Sequence, residues 1–287
     1  MEHELWCKLY ALCRQLDKGF PRGFYRNAEI VAVWLWAVVH DRPVSWACDP
    51  RNWLPGPPFP RPSQSTMSRR LRSPPVRHLL KAMEQLLREA PTQAWVKSID
   101  GKPLPVGGHS KDPEAHWGHA VRGFAKGYKF HAIWGEGPLP MAWELTPMNG
   151  AEPEVAQQLV QQLQGGGYLL GDKSYDSNPL YAEAAKRGYQ LVAPRKRPHG
   201  GLGHRRHCPA RLRAIELLQT PFGQALFAER QHIERRFGWL TSFFAGLQPL
   251  PSWVRRLHRI QLWVQAKLLI NAVYYHHKDH APLLAVA

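Results

Sequence analysis

Residues 94–194 carry the pattern that most restricts the fold. "AWVKSID" (94–100), "GYKFHAIWG" (127–135) and "PMAWELT" (140–146) are short runs rich in aromatic and β-branched residues, and they read as strands. "EPEVAQQLVQQLQ" (152–164) has apolar residues at helical spacing and stops at a Gly-Gly-Gly run. "YLLGD" (168–172) then reads as a strand, "NPLYAEAAKRG" (178–188) as a helix with proline in its first turn, and "YQLVAP" (189–194) as a further strand. Three strands, a helix, a strand, a helix and a strand imply a mixed sheet covered by helices.

That order matches the ribonuclease H-like fold, an α/β architecture with a mixed five-stranded sheet flanked by helices. The chain before it is helical with proline-rich interruptions. "NAEIVAVWLWAVVHD" (27–41), with Asn27 as N-cap, is apolar nearly all round and predicts a buried helix. "CDPRNWLPGPPFPRP" is loop by composition. "SQSTMSRRLRS" (63–73) predicts a short helix capped by Ser63 and carrying Arg69, Arg70 and Arg72, followed by an amphipathic helix that ends at Pro91. A buried helix, a connection and a short helix rich in Ser, Gln, Thr and Arg make a helix-turn-helix-like region, whose second helix would enter the major groove. Beyond the strands, helices are expected over about 213–237 and 251–276. The expected division is a helical DNA-binding region at 1–92 and a mixed-sheet domain at 93–280.

Lys and Arg total 38 against 22 acids, giving a net charge of +16 over 287 residues. A globular chain this basic is most simply explained by a polyanionic partner, and nucleic acid is the commonest. Cys7, Cys13, Cys48 and Cys208 are scattered with no Cys-x-x-Cys pair, which fits free thiols in a reducing cytosol. No apolar run is long enough to span a membrane, and "MEHELWCKLY" is not a signal peptide. A soluble, cytoplasmic, nucleoid-associated protein with no membrane partner is expected.

Two acids stand at strand ends: Asp100 in "SIDGKPL" and Asp172 in "LLGDKSYD". Taken singly, an aspartate there is more often a turn or cap residue. In a ribonuclease H-like sheet the two strands are neighbours, so the acids would lie side by side. Glu234 in "HIERRF" is the third, supplied by a later helix passing over the same edge. Three carboxylates there would hold two Mg²⁺ or Mn²⁺ ions, hard cations that prefer oxygen donors. Like charges crowded at one edge destabilise the fold without metal, which disfavours a purely structural origin. Asp176 is expected to start the next helix and not to bind metal.

The blocks "SIDGK", "KGYKFHAIWGEGPLPMAWELTPMNGAEPE", "LLGDKSYDSNPLY", "LVAPRKR" and "QHIERRFGWL" resemble, in order, those of bacterial insertion-sequence DDE transposases of the broad IS-four and IS-five kind. The resemblance covers roughly residues 95–275. It implies that Asp100, Asp172 and Glu234 are the catalytic, metal-binding triad. The family often extends its last acid into a signature of Tyr, two residues, Arg, three residues, Glu, six residues and Lys. Arg230 and Glu234 match that signature, whereas Phe227 and Thr241 stand where Tyr and Lys would be.

Double-stranded DNA, as element ends and target, is the expected partner, with a homodimer pairing two ends. Arg230, one helical turn before Glu234, would hold a phosphate near the metals. Lys102 and Lys173, each next to an acid, are further DNA contacts, as are Arg69, Arg70 and Arg72 of the short helix. The Gly-rich basic segment adds Arg195, Lys196, Arg197, Arg205 and Arg206. Tyr175 is read equally as a DNA contact and as packing. Trp117 and Trp239 are candidates for stacking on an unpaired base, and most other tryptophans read as core. His116 and His119, like His204, His207 and Cys208, complete no zinc pattern.

The resulting expectation is a transposase that binds terminal inverted repeats and carries out metal-dependent strand cleavage and strand transfer. The alternatives are a ribonuclease H-like nuclease, or a domesticated transposase acting only as a DNA-binding regulator.

Overall fold

Among the described residues, five α-helices precede the first strand: α1 (Glu2–Leu16), α2 (Asn27–Val39), α3 (Val44–Cys48), α4 (Gln64–Arg70) and α5 (Pro74–Leu87). The computed structural model describes residues 1–18, 24–88, 94–121, 123–203 and 206–278. As its composition requires, α2 is buried from Ile30 through Val39. Its start differs from expectation: Arg26 is the cap, and Asn27 instead bonds Asp17 and receives the Arg70 guanidinium. Ser63 caps α4 by accepting the Thr66 N–H. The helix α3 and a 3₁₀ turn (Pro50–Asn52) lie between α2 and α4, so this connection is partly ordered.

Among the described residues the sheet has six strands, one more than expected: β1 (Val96–Pro105), β2 (His116–Ala120), β3 (Gly123–Trp134), β4 (Ala142–Pro147), β5 (Gly167–Leu170) and β6 (Tyr189–Val192). The order is β2-β3-β1-β5-β6, with β4 also paired to β3. The extra strand is β2, "HWGHA", which shows no alternating apolar pattern because only Gly118 of its five residues is buried. Its pairing with β3 is what makes it a strand, and that pairing is invisible locally. Strands β1 to β4 pair antiparallel, whereas β1–β5 and β5–β6 are parallel.

The helices α6 (Glu152–Gln161), α7 (Asn178–Lys186) and α8 (Pro209–Leu217) follow the expected connections. Side chains of α6 and α7 pack on Ile99, Leu169 and Leu191 to form the main core beneath one face of the sheet. The other face carries Leu170 and Val192, against Leu226 of α9 (Pro221–Ala228). The region expected as one helix over 213–237 is three, α8, α9 and α10 (Gln231–Ser242). Pro221 starts a new helix there, with Thr220 accepting the Gly223 N–H as its cap.

The last helix is α11 (Leu257–Lys278). Backbone contacts divide the chain into two units, one of residues 1–88, 240–254 and 258–278, the other of residues 94–239 and 255–257. The segment from 258 onward, read from sequence as part of the mixed-sheet domain, therefore groups with the N-terminal helices. Lys267 explains part of that grouping: fully buried, it donates to Val38 O and Ala245 O at 3.0 Å and pairs with Asp41 at 2.7 Å. Among the described residues, no helix is long and apolar enough to cross a membrane.

Candidate active site

The register of β1 against β5 decides where the first two acids lie. The parallel pairing runs from Val96↔Tyr168 to Ser98↔Leu170, so Asp100 and Asp172 are each two residues beyond the last pair. Asp100 is not at the end of its strand, as the sequence suggested. The strand runs on to Pro105, and Asp100 still pairs with Ala132 of β3. It is nevertheless the point at which β1 passes the end of β5, which exposes a step in the sheet.

Alternation sends Ile99 into the main core and Asp100 to the opposite face, where α9 and α10 lie. Phe237 anchors α10 there by packing edge-on against Phe130 and Trp134 of β3. That placement brings the Arg230 guanidinium, just before α10, to 3.6 Å from Asp100. The same guanidinium bonds Glu234 at 3.1 Å. The Glu234 side chain remains 61% exposed. Burial raises the Asp100 carboxyl to about 6, and the nearby charge of Asp172 adds to the rise, while the Gly101 N–H and Arg230 oppose it.

Asp172 accepts the Ser174 N–H at 2.8 Å and caps a 3₁₀ turn at Lys173–Tyr175. It also accepts a very short hydrogen bond from the Ser174 hydroxyl. Gly171 makes room for this turn: a Cβ there would meet the Tyr175 ring at 3.0 Å. Tyr175 is buried in the main core, which settles it as packing. Asp176 is buried too, held by Arg211 at 2.6 and 2.8 Å and by the Lys196 N–H at 3.0 Å.

Sequence reading missed a second layer behind Asp172. Glu152, the first residue of α6, pairs with buried Lys129 at 2.7 Å and has the Ser174 side chain as a second polar neighbour. Burial alone would raise the Glu152 carboxyl, but the hydrogen bond and charge of Lys129, with the Ser174 side chain beside it, bring it below the usual range. His131 lies on the same strand as Lys129, bonded through Nε2 to Thr146 at 3.0 Å, with its Nδ1 buried and unpartnered. Burial pushes this imidazole down to about 4, so it is neutral. Both side chains cover Gly101, where a Cβ would meet Lys129 at 3.0 Å. The only local hint is the polar pair Lys129 and His131 at alternate positions of the buried half of β3.

A family model described as the transposase DDE domain matches residues 91–269, well over half of the chain. The chain belongs to the transposase DDE-domain family. No curated protein and no solved structure matches it. The mixed sheet with flanking helices and the helical N-terminal region agree with a ribonuclease H-like transposase.

Transposases of this family generally use divalent metal ions. The donors at the sheet step suit a hard cation, since Asp100, Asp172 and Glu234 offer only oxygen. Among the described residues, however, no three His, Cys, Asp or Glu side chains converge as a ready chelate. Arg230 lies between Asp100 and Glu234, 3.6 Å from the one and 3.1 Å from the other.

The proposed DNA contacts of the transposase fall into three groups. Arg69, Arg72, Lys173, Lys196, Arg197 and Arg206 are exposed. Arg70 is tied to Asn27, Arg195 donates to the carbonyls of Pro198 and Gly200, and half-buried Lys102 lies over the Phe237 ring. Arg205 and His204 lie outside the described residues. Trp117 and Trp239 are exposed, and Trp239 carries the Arg236 guanidinium on its ring.

Proposed function

We propose that this transposase binds the terminal inverted repeats of an insertion sequence, cuts strands at the element ends and joins them to target DNA. The observation that carries the reading is the shared register of Asp100 and Asp172, each two residues past the Ser98↔Leu170 pair, with Arg230 linking Asp100 to Glu234. Mg²⁺ or Mn²⁺ ions held by Asp100, Asp172 and Glu234 would supply Lewis acidity at the scissile phosphate.

Both steps are in-line displacements at phosphorus. In cleavage, water forms a new P–O bond as the bond to the 3′ oxygen breaks, and a 3′-hydroxyl is released. In joining, that hydroxyl attacks a target phosphate, loses its proton and displaces a target 3′ oxygen. Arg230 is suited to receive a phosphate oxygen once Glu234 turns from it, because a guanidinium binds phosphate through paired donors. Lys102 and Lys173 flank the two aspartates. The basic segment around Arg195, Lys196, Arg197, Arg205 and Arg206 would grip the backbone, and Arg69, Arg70 and Arg72 would take part in reading the repeats. Two ends must be paired, so a homodimer on DNA is part of the proposal.

Labelled element-end DNA incubated with protein and Mg²⁺ tests this. Cleaved and joined products are expected, and Asp172→Asn should reduce both by at least about 10³-fold. Cleavage without joining would leave a nuclease. Binding without any metal-dependent chemistry would leave a regulator.

A further inference from the structure

The helical unit contains a cavity of about 300 Å³ that no part of the catalytic reading uses. Its walls include three indoles: Trp34 of α2, Trp263 of α11, and Trp253. Trp34 and Trp263 meet edge-on at 5.8 Å and are buried, whereas Trp253 is 42% exposed at the mouth. The Trp34 indole N–H is buried and has no hydrogen-bond partner. A buried donor left unpaired is unfavourable, so an acceptor within reach of it is stabilising.

The electrostatics of this cavity are one-sided. Arg72, His258 and Arg259 line it, and no acidic side chain is among the described residues that do. Arg72 uses Nε on the Ser68 carbonyl, which fixes the guanidinium while leaving its terminal nitrogens to other partners. Gln64 and Ser68, one turn apart on the exposed side of α4, supply neutral hydrogen-bonding groups at the same opening. A ligand that matches these walls is flat and aromatic at one end, carries acceptors, and is anionic at the other.

We propose that this cavity is a nucleotide pocket, in which a base stacks on Trp253 with an acceptor toward the Trp34 N–H, and its phosphate meets Arg72 and Arg259. Aromatic stacking is open to every base because each has a π face, and the cationic rim favours a phosphate-linked ligand over an apolar one. The pocket is formed entirely by the helical unit and borders α4, so an unpaired nucleotide of bound DNA is one source. A free nucleotide is the other.

Fluorescence anisotropy with two labelled duplexes, identical except for one unpaired adenosine, tests the proposal on the full chain. The bulged duplex is expected to bind about tenfold more tightly. Trp253→Ala should abolish that preference and leave affinity for the paired duplex unchanged, and Arg72→Gln with Arg259→Gln should weaken it. Deoxyadenosine monophosphate, titrated separately, distinguishes the sources: Trp253-dependent binding of it identifies a free nucleotide as a ligand, even where the duplexes bind equally. Equal binding of both duplexes with no monophosphate binding overturns the proposal. A preference that survives Trp253→Ala also overturns it, since the unpaired base is then held elsewhere. Trp253 is exposed, and a thermal melt of the variant matching the unmutated chain excludes misfolding as the cause.

Discussion

The Arg230 guanidinium lies 3.6 Å from an Asp100 carboxylate oxygen, across the step where β1 outruns β5. Its charge opposes the burial that raises the Asp100 carboxyl to about 6. Replacing it with Gln should move that titration up by about one pH unit. Because Asp100 is protonated below about 6, metal-dependent cleavage by the unmutated transposase should fall on acidification through that value. The acidic limb of the rate profile should shift to higher pH in Arg230→Gln. An unchanged limb would mean that Asp100 does not control it.

Ser174 has one hydroxyl proton and two carboxylate neighbours, Asp172 and Glu152. It therefore orients Asp172 while keeping Glu152 in reach, a supporting role for the proposed ligand. Ser174→Ala leaves the Ser174 N–H on Asp172 but removes the hydroxyl. Apparent Mg²⁺ affinity, read from the metal dependence of cleavage, should weaken by about 10-fold to 100-fold. Ser174→Thr should restore most of it. A change in maximal rate at saturating metal, with unaltered metal dependence, would argue against this role.

Asp176 tests the distinction between the two acids of "GDKSYD". Burial works against its charge, but two Arg211 hydrogen bonds and the Lys196 N–H outweigh it and hold the carboxyl below its ordinary value. Asp176→Asn should lower unfolding free energy at pH 7 by about 1.5–3 kcal/mol, because partly buried Arg211 is left without its counter-charge. A carboxyl depressed in the folded state stabilises above its unfolded value of about 4, and that contribution is lost as pH falls through the folded value. Denaturant melts of the two proteins should therefore differ most near neutrality and converge below about pH 4. Undiminished stability of Asp176→Asn at pH 7 would make the Arg211 pair dispensable.

Much of this architecture was legible in the chain. Apolar runs of strand length, the glycine stop before β5 and the Pro at α7 are local signals, and they sufficed for the strand–helix order and for singling out Asp100 and Asp172. The Ser63 cap and the buried body of α2 are of the same kind, since each depends on neighbours a few residues away. The family match over residues 91–269 agrees with the blocks that carried the resemblance.

Tertiary structure decided the rest, because it depends on pairings between distant segments. The β1–β5 register makes Asp100 and Asp172 neighbours, and no spacing in the sequence encodes a register. Strand β2 exists through β3, and Lys129 acquires its partner only when α6 begins beside it. Lys267 is enclosed by Asp41 and two carbonyls, all far from it in the chain. A charge in a local pattern defaults to solvent. Whether it is instead buried and paired is fixed by long-range packing, which also set Arg230 between two of the proposed ligands.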